Sequence, residues 1–118
     1  MRYLVILILL FCSCSSCDSG NSSREKTASV SKGEFLFRIN CATCHKPDDD
    51  LVGPALKGVT TRWKDKKSLY DFVRNPIEAL EKDSYAKNLQ NRYHGVVMTA
   101  YPNLTDQDID AILEFCGN

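Results

Sequence analysis

The chain has 118 residues and a mass of 13.3 kDa, with 15 Lys and Arg balanced by 15 Asp and Glu. That length holds one domain plus a leader. The sequence pI near 6.7 excludes a typical nucleic-acid-binding domain, whose pI exceeds about 9, and 43% apolar content with no net charge excludes a disordered chain. Six cysteines in so short a sequence are the anomaly: Cys12, Cys14 and Cys17 form one cluster, Cys41 and Cys44 a second, and Cys116 stands near the end.

Met1-Arg2 and the unbroken apolar run Tyr3 to Phe11 read as an export signal, a short positive start before an apolar stretch. The run is well short of the ~20 residues that a spanning helix needs. Phe11-Cys12-Ser13-Cys14 resembles a bacterial lipoprotein box, with a large apolar residue three before the cysteine and a small one directly before it. The resemblance implies that the cysteine becomes the lipidated first residue of the mature chain. Cys14 fits best, Cys17 after Ser16 is second, and Cys12 after bulky Phe11 is worst. An ordinary cleaved signal with incidental cysteines is the alternative, and both export the chain. From Ser15 to Ser29 the sequence is polar with no apolar period, as expected of a flexible tether. The expected division is a lipoprotein signal peptide over 1–13, a tether over 14–29 and one folded domain over 30–118.

The folded part predicts about four short helices and no strand, because no segment alternates with period two. Val30-Ser31-Lys32-Gly33-Glu34-Phe35 reads as a helix start, with Ser31 capping, Glu34 completing a capping box and Val30 stapling to Phe35. This helix is expected to run to Cys41. Another is expected to open at Ser68, carry Leu69, Phe72 and Val73 on one side, and stop before Asn75-Pro76. A third is expected from about Ile77 to Arg92. The last starts at Thr105, with Asp108 at its third position, shows Ile109, Ile112, Leu113 and Cys116 on one face, and ends at Gly117. So few helices in about 90 residues leave a thin core, and domains of this size usually need a staple, a metal or another buried aid.

Cys41-Ala42-Thr43-Cys44-His45 supplies that aid: C-x-x-C-H is the covalent attachment motif for c-type haem. Two thiols one helical turn apart match the porphyrin's two vinyl groups, and His45 follows where its imidazole can reach the iron as proximal ligand. A redox C-x-x-C pair would need a βαβ context, which is missing. A structural zinc site needs four ligands, and Cys41, Cys44 and His45 with Cys116 or His94 form a poor tetrahedron. A Cys41–Cys44 disulfide would leave His45 without a role. Met98 is the only methionine besides Met1, and it sits in an apolar loop before the last helix as the candidate sixth ligand. His94, in polar company, is the weaker alternative, and core filling is the bland role for a methionine.

With these motifs the stretch from Ser31 to Asn118 resembles a class I, monohaem cytochrome c. The resemblance implies an all-α cytochrome c fold wrapped around one covalent haem c with iron, in which an N-terminal helix bearing C-x-x-C-H crosses the C-terminal one. Leu51-Val52-Gly53-Pro54-Ala55-Leu56 is similar to the family's Gly-Pro loop, which implies that the Pro54 carbonyl accepts a hydrogen bond from His45. Ser68 to Pro76 is similar to the helix before the methionine loop. Met98-Thr99-Ala100-Tyr101-Pro102 is similar to the stretch leading into the final helix, with Thr99 where many relatives have proline. Gly33 falls where the helices need a small residue, beside Phe37 and opposite Phe115.

By the same resemblance Arg62 and Trp63 are candidate donors to a haem propionate, with an exposed loop as the equal alternative. The basic run Lys64, Lys66 and Lys67 beside the acidic Asp48, Asp49 and Asp50 is expected to give a dipole able to steer a partner. Cys116 is expected to be a buried, inert thiol. The whole predicts an electron carrier rather than an enzyme, moving one electron at a haem held by His45 and Met98 in a respiratory chain. Its expected partners are redox proteins and, through the lipid, a membrane facing the periplasm, with no nucleic acid and no small-molecule substrate. A haem enzyme or gas-binding subunit with a labile sixth ligand, or a fixed electron-entry subunit of a larger complex, is the alternative.

Overall fold

The computed structural model describes residues 21–118; the leader, Cys14 and the start of the tether lie outside them. Five α-helices follow in order: α1 (Asn21–Asn40), α2 (Lys66–Arg74), α3 (Pro76–Lys82), α4 (Ser84–Arg92) and α5 (Asp106–Phe115), with a 3₁₀ turn at Val59–Arg62 between α1 and α2. Among the described residues there is no strand, so the architecture is all-α.

Three helix boundaries depart from the sequence expectations. α1 begins upstream of Ser31, at Asn21, so residues 21–29 are helical and Ser31 lies inside the helix. Two contacts with α5 hold this polar turn in place: Ser29 Oγ donates to Glu114 at 2.7 Å and Lys32 pairs with Asp108 at 2.7 Å. Phe35 consequently faces solvent, 62% exposed, and staples nothing. α2 starts at Lys66, because Asp65 is the cap: its carboxylate accepts from the amide of Ser68 at 2.7 Å. The stretch from Ile77 to Arg92 is two helices. Asp83 ends α3 by donating its amide to the Ala79 carbonyl and starts α4 by accepting from the amides of Tyr85 and Ala86. Thr105 and Asp108 form the full reciprocal capping box at the start of α5. The Lys32 ammonium, then hydrogen bonds from the Thr105 hydroxyl and amide, hold the Asp108 carboxyl down at about 2.

α1 crosses α5 at Gly33. A Cβ there would lie 1.9 Å from the Ala111 carbonyl oxygen and 3.1 Å from Phe115 Cβ, so only glycine permits this approach. One turn on, Phe37 and Phe115 meet with ring centroids 5.4 Å apart, over Ile112 and Cys116. Burial, then Cys41, pushes the Cys116 thiol up to about 12, consistent with an inert core residue. A second cluster gathers Val59, Trp63, Leu69, Tyr70, Ala86, Ile109 and Leu113. Trp63 is its hub, with ring centroids 5.0 Å from both Phe72 and Tyr85. The lysine run is spent locally: Lys64 pairs with Asp83, Lys66 with Asp110 and Lys67 with Asp71, which weakens the expected dipole.

Gly33→Ala tests the helix crossing. Helix propensity alone favours alanine by about 1 kcal/mol. Overpacking against a backbone carbonyl that cannot move aside costs about 1–3 kcal/mol or more. The expected outcome is net destabilisation, read as a lower guanidinium midpoint of the mature protein. An unchanged or raised midpoint contradicts the close approach.

Candidate haem-binding site

α1 continues beyond Asn40 as a single turn that carries the C-x-x-C-H motif. The amide of Cys41 donates to the Phe37 carbonyl at 2.8 Å, and that of His45 to the Cys41 carbonyl at 2.9 Å. This turn brings Cys41, half-buried, and Cys44, exposed, together with His45 to the edge of one cleft. Burial, with Cys44 adjacent, pushes the Cys41 thiol up to about 11. Among the described residues no three His, Cys, Asp or Glu side chains gather to hold a metal, which leaves the zinc alternative without a site.

His45 is fixed from one side. Its Nδ1 lies 2.8 Å from the Pro54 carbonyl oxygen. A carbonyl can only accept, so Nδ1 carries the proton and Nε2 keeps its lone pair. Gly53 packs flat against the ring, where a Cβ would stand 2.5 Å from His45 Cε1. The Gly53 amide donates to the Cys44 carbonyl at 2.9 Å, tying this loop to the motif.

Met98 lines the same cleft and is half-buried. His94 is exposed, does not line the cleft, and sits at φ 58° beside Gly95 at φ 78°, where the chain turns out of α4. Two tyrosines flank the methionine loop. Tyr101 donates its hydroxyl to the Asn40 carbonyl at the end of α1, and its amide donates to the Val73 carbonyl at 3.0 Å. Tyr93 donates its hydroxyl to Asp50 at 2.7 Å. The acidic run and the methionine stretch contain Asp50 and Tyr101, but no sequence pattern indicates these pairings, since the partners lie 61 and 43 positions away. Arg62 is exposed and donates to the backbone carbonyls of Ala55 and Lys57, and Trp63 lines the cleft.

The cleft has a volume of about 150 Å³ and opens to solvent on one side. Its walls are mainly apolar: Val52, Leu56, Trp63, Leu69 and Leu89 line it, with Val96 and Val97 from the methionine loop. An apolar cleft lined by two thiols, with an imidazole Nε2 left free for a metal, suits a porphyrin attached through C-x-x-C.

The cytochrome c family profile matches residues 30–117. A solved cytochrome c from Rhodothermus marinus superposes with a TM-score of 0.65 at 32% identity, over 76% of this chain and 75% of that one. An engineered form of the Rhodothermus protein, bound to a carbene intermediate, gives a TM-score of 0.61 over the same 76% and 75% at 32% identity. A cytochrome c2 from Rhodopseudomonas palustris is 56% identical over 33 residues, and that match spans 28% of each chain. The chain belongs to the cytochrome c family, whose members hold a c-type haem and its iron covalently.

Gly53→Ala probes the seat of His45. The added methyl must displace the imidazole and break its bond to Pro54. The expected result in the reduced, haem-loaded protein is much faster solvent exchange of the His45 Nδ1 proton, followed by NMR. Exchange as slow as in the parent protein contradicts the packing described.

Proposed function

We propose that the protein is a one-electron carrier with His45 and Met98 as axial ligands, working in a respiratory chain and not as an enzyme. The observation carrying this reading is that His45 and Met98 line one apolar cleft beside Cys41 and Cys44, while the alternative ligand His94 faces solvent. Bound haem supplies the Fe(III)/Fe(II) couple. Cys41 and Cys44 anchor it as thioethers, and His45 offers Nε2 because Pro54 holds Nδ1. Met98 offers a soft thioether, which favours the reduced state and raises the potential. The apolar walls act in the same direction by disfavouring added positive charge. If His45 and Met98 both hold the iron, little would rearrange when the electron moves, and the barrier would stay low. Exposed Cys44 marks the edge at which a redox partner protein approaches.

Export and lipidation belong to the same proposal. Cys14, or Cys17 in its place, would carry the lipid that anchors the domain to a membrane, facing the periplasm. Anchoring keeps the carrier near membrane redox enzymes without fixing it to one of them.

The test concerns the sixth ligand. Oxidised wild-type protein is expected to show the far-red sulfur-to-iron charge-transfer band, Met98→Ala to lose it outright, and His94→Ala to keep it. Reduced wild type is expected to bind carbon monoxide slowly and Met98→Ala rapidly. A wild type without the band, or a Met98→Ala variant that retains it, refutes the assignment. Rapid, complete carbon monoxide binding by wild type favours the haem-enzyme or gas-binding alternative.

A further inference from the structure

Both sides of the peptide group joining Pro54 to Ala55 are engaged. Its carbonyl accepts from His45 Nδ1 at 2.8 Å. Its N–H donates to one carboxylate oxygen of Asp50 at 2.8 Å. The other oxygen of Asp50 accepts the Tyr93 hydroxyl at 2.7 Å. A continuous chain of hydrogen bonds thus runs from the imidazole, through one peptide, to a carboxylate and then to a phenol at the end of α4. We propose that Asp50 is a positioning residue that sets the electron-donating strength of His45 through the Pro54–Ala55 peptide, and that Tyr93 moderates it. This inference rests on the reading of His45 as an iron ligand and does not depend on Met98.

The physics is that of a polarised amide. Peptide resonance couples the N–H to the C=O. An anion accepting from the N–H draws that proton outward and pushes electron density onto the carbonyl oxygen, and hydrogen bonds in series strengthen one another. The Pro54 oxygen becomes a stronger acceptor, so the imidazole gains anionic character at Nε2. A more basic histidine favours the oxidised metal and lowers the reduction potential. Asp50 is suited to this role because its charge is secure. The Ala55 amide and the Tyr93 hydroxyl, helped by Arg92 and Arg62, hold its carboxyl below the usual range against a small desolvation cost. Tyr93 shares that charge, so its hydroxyl weakens the pull on the peptide.

The test measures the redox equilibrium of the haem-loaded protein against a mediator of fixed potential. Asp50→Asn keeps an acceptor oxygen for the Ala55 amide but removes the charge. It is expected to shift the equilibrium toward the reduced form by about three- to tenfold, the scale of losing one screened charge. Asp49→Asn is the control: Asp49 is an exposed neighbour with the same charge and no hydrogen bond to that peptide. It is expected to shift the equilibrium clearly less. Tyr93→Phe is expected to move it the opposite way, toward the oxidised form. In the reduced protein the His45 Nδ1 proton resonance should move upfield in Asp50→Asn and stay in place in Asp49→Asn. Equal shifts from Asp49→Asn and Asp50→Asn, or an Nδ1 resonance indifferent to Asp50, overturn the relay. Either result leaves the far-red band of wild type, and with it the carrier reading, unaffected.

Discussion

The hydrogen bond between His45 and the Pro54 carbonyl is the constraint on which the site depends. It settles which imidazole nitrogen carries the proton and fixes the plane of the ring, and so it decides where the remaining lone pair is available. Everything around it serves that geometry. The turn after α1 delivers His45, the Gly53 amide clips the loop to Cys44, and the bare α-carbon of Gly53 lets the ring lie flat. Asp50 then holds the other side of the same peptide.

The fold supplies the frame rather than a large interior. Its core is two small clusters, one under the crossing of α1 with α5 and one around Trp63, and the cleft opens beside them. Trp63, Leu69 and Leu56 pack in or against these clusters and also line the cleft. A group filling the slot would therefore complete the core as well as carry the chemistry. That dual role is what a domain of this size requires, since helices this short bury too little apolar surface alone. The methionine loop is built differently: its ends are fastened by Tyr93 and Tyr101, and Val96 and Val97 remain exposed between them. Thr99 in place of proline makes that fastening matter more, because the loop lacks proline's fixed φ at that point.

What the sequence made legible was local. C-x-x-C-H, the Thr105–Asp108 box and the stop at Gly117 are all written within a few residues, and Gly33 with its aromatic neighbours follows from the family pattern. Long-range interactions were not legible. The stretch of α1 around Ser29 and Lys32 has no apolar period, and those two residues bond to Glu114 and Asp108, far along the chain. The break at Asp83 was in principle readable, since aspartate is a strong helix cap, but the apolar spacing from Ile77 to Leu89 masked it. The roles of Asp50, Tyr93 and Tyr101 depend on segments that meet only after folding.

The account rests on one porphyrin joined covalently to Cys41 and Cys44, and the intact mass of the matured protein under denaturing conditions tests this most directly. The expected result is the mass of the polypeptide plus one haem, unchanged by extraction with acidified organic solvent, with the modification mapping to the peptide that contains both cysteines. The bare mass of the polypeptide, or a haem that the solvent removes, would contradict it.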